Sequence, residues 1–189
     1  MNILQDIIYD EKLAWKKSLD GKIEKLIVKI DEESLMELNQ NKDKLQLSNI
    51  EDFPNLKNQI IKLKNEFLIR GNGFFIIDGN SFLGFNDEHV KEIYRLISLG
   101  LGQLYVQNIK NEKFVVITDE GKSMSTGGRY HQTKEGGSYH TDSPQWSKVP
   151  DFVGLLCIRP AKIGGESKFV SAYTIHNEML KINRENLYL

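Results

Sequence analysis

The stretch HTDSPQWSKVPDFVGLLCIRPAKIGGESKFVSAYTIHNEML, from His140 to Leu180, decides how this chain is read. It opens on a histidine and an aspartate two positions apart, His140 and Asp142. Two prolines, Pro144 and Pro150, then mark a turn before an apolar run from Phe152 to Ile158, which predicts a strand. Gly164-Gly165 predicts a tight turn into Ser167 to Val170, and a helix is expected from Ala172 to Ile182. Residues two apart in an extended segment project to the same side, so His140 and Asp142 can present an imidazole and a carboxylate together. They would supply two of the three ligands in the two-histidine, one-carboxylate set that binds a mononuclear non-haem Fe(II). Alone, the triplet is close to chance, and a polar pair in a loop accounts for it equally well.

Working outward, Asp119 to Gly137 reads as a polar, glycine-containing loop, with Phe114 to Thr118 (FVVIT) as a strand before it. Upstream, Asn86 or Asp87 opens a helix through Val90, Ile93, Tyr94 and Ile97 that should end at Gly100 and Gly102. Gly73 to Asp78 (GFFIID) is a compact apolar run that predicts a buried strand. The first seventy residues are helix-rich by pattern. Leu13, Trp15 and Leu19 share an amphipathic stretch, and Lys22 to Ile30 alternates enough for a short strand. Asp31 can cap a helix carrying Leu35, Met36 and Leu38. Pro54 suits the first turn of another, with Leu56, Ile60, Leu63 and Phe67 at helical spacing. The organisation is one domain: a helical elaboration over residues 1–70, then a strand-rich part over 71–189.

Composition narrows the function classes. The 189 residues are 40% hydrophobic and 27% charged, with a net charge of -1. No basic cluster points to nucleic acid or to an anionic membrane. No apolar stretch has the length of a membrane span, and the first ten residues lack a secretory pattern. A single cysteine, Cys157, has no intramolecular disulfide partner and favours a reducing compartment, so a cytoplasmic location is expected. Cys157 itself, inside an apolar strand, reads as a small buried hydrophobe.

Taken together, HTD, the proline-containing loop, the apolar strand ending in CIRPA, the GGES turn and the following helix resemble the taurine dioxygenase and clavaminate synthase-like superfamily of Fe(II)/2-oxoglutarate-dependent oxygenases. The segment GNGFFIID, the helix into LGLGQLYVQN and the strand FVVIT occur in the same order, so the resemblance runs from about Gly71 to Leu180. It implies an α+β chain built on a double-stranded β-helix, or jelly roll, with flanking helices. It also implies Fe(II) as cofactor, 2-oxoglutarate as cosubstrate, and O2 and a small molecule as the other reactants. His140 and Asp142 would be the first histidine and the carboxylate of the metal triad. Ser167 would hold a carboxylate of 2-oxoglutarate; read without the resemblance, it is an ordinary strand-start hydroxyl. Because Asp142 keeps the carboxylate that related halogenases lack, hydroxylation or desaturation is expected. Tyr139, Gln132 and Trp146 are candidates for the substrate pocket. His131 and His89 read as loop and surface residues.

The family's second histidine and the arginine that pairs with 2-oxoglutarate lie on a late strand well beyond HTD, and no residue after Asp142 matches them. His176 falls within the expected helix; Arg159 and Arg184 do not match the arginine. The expected jelly roll is therefore incomplete within these residues. A homo-oligomer or a complementary chain is expected to cover its unpaired edge. The competing expectation is a truncated or degenerate oxygenase-like domain that acts as a non-catalytic binding or oligomerisation module.

Overall fold

The computed structural model describes residues 6–16, 22–108, 110–128, 130–135, 137–142 and 147–188. These residues divide into two packed units, one drawn from Met1–Leu101 with Phe169–Leu189, the other from Gly102–Lys168.

Among the described residues the first unit holds four α-helices and a short parallel sheet. Strand β1 (Ile27–Val28) pairs with β2 (Ile76–Ile77), with Ile27 opposite Ile76 and Val28 opposite Ile77. Alternation along the pair turns Val28 and Ile77 onto the core and leaves Ile27 and Ile76 outside. Helix α1 (Glu32–Gln40) starts where the sequence places its cap: the Asp31 carboxylate accepts the Ser34 N–H at 2.8 Å. Helix α2 (Pro54–Leu63) has Pro54 in its first turn, where a missing N–H costs nothing. The Glu37 carboxylate of α1 accepts the next N–H groups, from Asn55 and Leu56. Helix α3 (Asp87–Leu101) lies against α2. Leu38, Phe53, Leu56, Ile60, Ile93 and Leu96 are fully buried at this junction, so the 3.6-residue spacing of the sequence is the spacing of the core.

Two glycines shape this unit. The sequence reading ends the third helix at Gly100 and Gly102, yet α3 runs through Gly100 to Leu101. A β-carbon on Gly100 would stand 3.0 Å from Ile60 Cγ2, so its bare backbone permits close approach of α3 to α2. After α2 the chain widens into a π-helical turn, Lys64–Ile69. It closes on Gly71, packed so tightly that a β-carbon there would lie 2.6–2.8 Å from backbone atoms of Glu66 and Phe67.

Helix α4 (Ala172–Ile182) occupies the residues expected from the sequence, capped by Ser171 accepting the Thr174 N–H. Packed on it is the segment 6–16, where Leu13 and Trp15 lie in a turn and an extended stretch rather than in a helix. Leu19 lies outside the described residues.

The second unit departs from expectation. Phe114–Thr118, Phe152–Ile158 and Ser167–Val170 form no regular strand, and the β1–β2 pair is the sheet present among the described residues. A jelly roll is therefore not formed by them, although the chain mixes helix and strand as expected. The physical reason lies in what a strand is: its hydrogen bonds are made by a neighbour, so strand-like composition does not itself create a sheet. Val116, Ile117, Val153 and Leu155 are consequently exposed. Cys157, expected to be a buried hydrophobe, is exposed for the same reason. No helix of the described residues is long and apolar enough to cross a membrane.

Candidate metal centre

His140 and Asp142 sit in the second unit, in an extended turn-rich segment that presents both side chains to solvent. The ring of His140 is oriented by the backbone just before it. Its Nδ1 lies 2.7 Å from the Ser138 carbonyl oxygen. A carbonyl can only accept, so Nδ1 carries the proton of this bond, and the ring's other nitrogen is Nε2. That Nε2 faces Asp142 Oδ1 at 3.4 Å.

The donor set suits Fe(II). Two ligands bound at about 2.1 Å and at right angles stand about 3.0 Å apart, close to the separation seen. A hydrogen bond from the far nitrogen to a carbonyl is the usual support for a metal-bound imidazole. An imidazole nitrogen and a carboxylate oxygen are both donor types that Fe(II) accepts. Among the described residues, no group of three or more His, Cys, Asp or Glu side chains is placed to hold a metal.

The other expected site residues are placed individually. Ser167 follows Gly164 and Gly165, whose φ angles of 75° and 83° make the tight turn that the glycine pair predicts. Its side chain is exposed on an extended segment. Gln132 is engaged by the loop upstream: its side-chain amide donates to the Glu120 carboxylate at 3.0 Å, and its backbone carbonyl accepts the Glu120 N–H. Neighbouring His131 accepts the Thr118 N–H on its carbonyl, so the loop from Asp119 is folded back on itself. The Lys122 ammonium, hydrogen-bonded to Glu120, holds that carboxyl below its usual range. Tyr139 is exposed beside His140. Trp146 lies outside the described residues. An open hollow of about 480 Å³ is lined by Gln103, Leu104, Tyr105, Val106, Ser147 and Lys148, none of them an expected site residue.

Comparison with known proteins decides the family. Residues 44–187 match the family described as taurine catabolism dioxygenase TauD, TfdA family. The chain belongs to it. The TauD/TfdA match includes both His140 and Asp142, the GGES turn and α4, and it reaches back to α2, ahead of Gly71 where the motif resemblance starts. Helix α2 carries core residues rather than motif residues, so no short pattern marks it. The chain is also similar to the FR-33289 synthase of Streptomyces rubellomurinus (strain ATCC 31215), 32% identical over 118 residues. Those residues are 61% of this chain and 33% of that protein, so the match spans about a third of the relative's length. No solved structure matches the chain significantly.

Proposed function

We propose that the protein is an Fe(II)/2-oxoglutarate-dependent oxygenase that hydroxylates or desaturates a small-molecule substrate. The observation that carries this reading is the convergence of His140 Nε2 and Asp142 Oδ1 within a chain of the TauD/TfdA family. When bound, Fe(II) and 2-oxoglutarate supply the oxidising power, with O2 as the other reactant. His140 would bind the metal through Nε2, its tautomer set by the Ser138 carbonyl. Asp142 would neutralise part of the metal charge and keep a carboxylate where a halogenase needs an open position. Ser167, a hydroxyl donor behind a glycine turn, would hold a carboxylate of 2-oxoglutarate. The third ligand and the arginine for the cosubstrate would come from residues other than these 189.

The test is anaerobic addition of Fe(II) and then 2-oxoglutarate to the full-length protein. Chelation of the metal by 2-oxoglutarate is expected to produce a visible metal-to-ligand charge-transfer band. The band should be lost in His140→Ala. A full-length protein that shows neither this band nor substrate-stimulated 2-oxoglutarate turnover is a non-catalytic member of the family.

A further inference from the structure

The segment 6–16 and the start of α4 are joined in a way that no family motif marks. The Asn177 side chain accepts the Ile8 N–H at 2.9 Å and donates to the Ile8 carbonyl at 2.8 Å, a reciprocal pair like that between strands. Ser171 Oγ donates to the Leu13 carbonyl, Thr174 Oγ1 to the Trp15 carbonyl at 2.6 Å, and His176 Nε2 lies 3.1 Å from the Asp6 carbonyl. Ser171 and Asn177 are buried. Positions 171, 174 and 177 recur every three residues, so one face of the helix and its cap reads the backbone of the segment.

Aromatic rings extend this clamp within the first unit. The Trp15 indole donates to the Asn72 carbonyl at 2.9 Å, and its ring lies 5.6 Å from that of Phe74. Phe74 stacks on Phe169, with centroids 5.5 Å apart and planes within 12°. Phe169 is 59% exposed, more than a residue needed only for the core would be. It stands two positions after Ser167, a span of about 7 Å of extended chain at most.

We infer that the Trp15–Phe74–Phe169 ladder, with the α4 clamp behind it, is a positioning device for Ser167. This rests on the reading that Ser167 holds 2-oxoglutarate. Ser167 lies in an exposed extended segment, and ordering such a segment when a ligand binds costs affinity. Stacking Phe169 on Phe74 meets that cost in the folded protein before the cosubstrate arrives. Phe169 is thus a positioning residue with no contact to the reacting atoms.

Two measurements on the full-length protein test this. In metal-free protein, Phe169→Ala should accelerate amide hydrogen exchange over residues 165–170 while leaving α1 to α3 unchanged. In anaerobic Fe(II)-loaded protein, titration of the charge-transfer band should show 2-oxoglutarate binding weakened about 2- to 12-fold, the range of one aromatic pair. Fe(II) affinity should stay the same, and Phe169→Trp should restore both readouts. If the alanine variant does not fold, Phe169→Leu keeps the bulk, removes the ring and carries the test. Unchanged exchange overturns the proposal, as does faster exchange with unchanged 2-oxoglutarate affinity. A wild-type protein that forms no band overturns the underlying reading of Ser167 instead.

Discussion

His140 Nε2 faces Asp142 Oδ1 at 3.4 Å because the Ser138 carbonyl holds the other ring nitrogen. The two side chains gain little from each other in this arrangement, since an exposed pair of this kind contributes 0–1 kcal/mol at best, roughly. On the proposed reading their role is to bind the metal. His140→Ala and Asp142→Ala should therefore change the unfolding free energy of the metal-free protein by no more than about 0.5 kcal/mol. Anaerobic Fe(II) at a hundredfold its dissociation constant should stabilise the wild type by about 2.7 kcal/mol and neither variant. Thermal unfolding with and without Fe(II) measures this. Equal stabilisation of the variants would place the metal elsewhere.

Gly71 offers a sharper structural test, because its role needs no special φ angle, only space. A β-carbon would meet the Glu66 and Phe67 carbonyl oxygens at 2.6 and 2.7 Å, and these are backbone atoms that cannot swing aside. Gly71→Ala must push the π-helical turn away from the GNG corner, at an expected cost of about 1–3 kcal/mol. Gly79→Ala, where nothing stands within 4 Å, is the control and should be close to neutral. Denaturant unfolding of the two variants side by side measures the difference.

What the sequence made legible follows the same division between local and distant causes. Asp31, Pro54 and Ser171 each start a helix through bonds or constraints made within a few residues, and all three helices begin where these residues place them. The HTD pair and the GGES turn were readable because motif and turn geometry are local too. Phe114–Thr118 and Phe152–Ile158 are different: their composition says strand, but a ladder needs a neighbour, and none is supplied among the described residues. Trp15 was misread as a helix face because its partners, Asn72 and Phe74, are nearly sixty residues away. Little in segment 6–16 announces the clamp either, since apart from the Lys16–Glu178 ion pair α4 binds its backbone rather than its side chains.

Two neighbours at the start of α1 should respond in opposite directions to the same substitution. Asp31 caps the helix from an exposed position, and Asp31→Ala should cost about 1 kcal/mol. Ser34 is fully buried, and its hydroxyl has no hydrogen-bond partner among the described residues. Ser34→Ala removes a desolvated polar group without removing a bond, so it should be neutral or stabilising by up to about 1 kcal/mol. Chemical denaturation of both variants decides. A marked loss on Ser34→Ala would mean that the hydroxyl is satisfied in solution, by water for example.

The clamp also carries a pH dependence through Glu178. Hydrogen bonds from Lys16 first, and then Lys181, hold its carboxyl below the usual range. A carboxyl lowered in the folded state stabilises that state above its unfolded pKa, and the contribution is lost as pH falls through the lower, folded value. The unfolding free energy of the wild type should therefore exceed that of Glu178→Gln near neutral pH, and the gap should close on the acid side of the carboxylate range. Because the Glu178 side chain is 43% exposed, the gap should be small, and about 1 M salt should shrink it further by screening. Amide exchange at Ile8, whose N–H is held by Asn177 one residue before Glu178, gives the local readout. Its protection relative to the intrinsic exchange rate at each pH should fall at acid pH in the wild type and change less with pH in Glu178→Gln. An identical acid dependence in both proteins would assign the effect to other carboxylates.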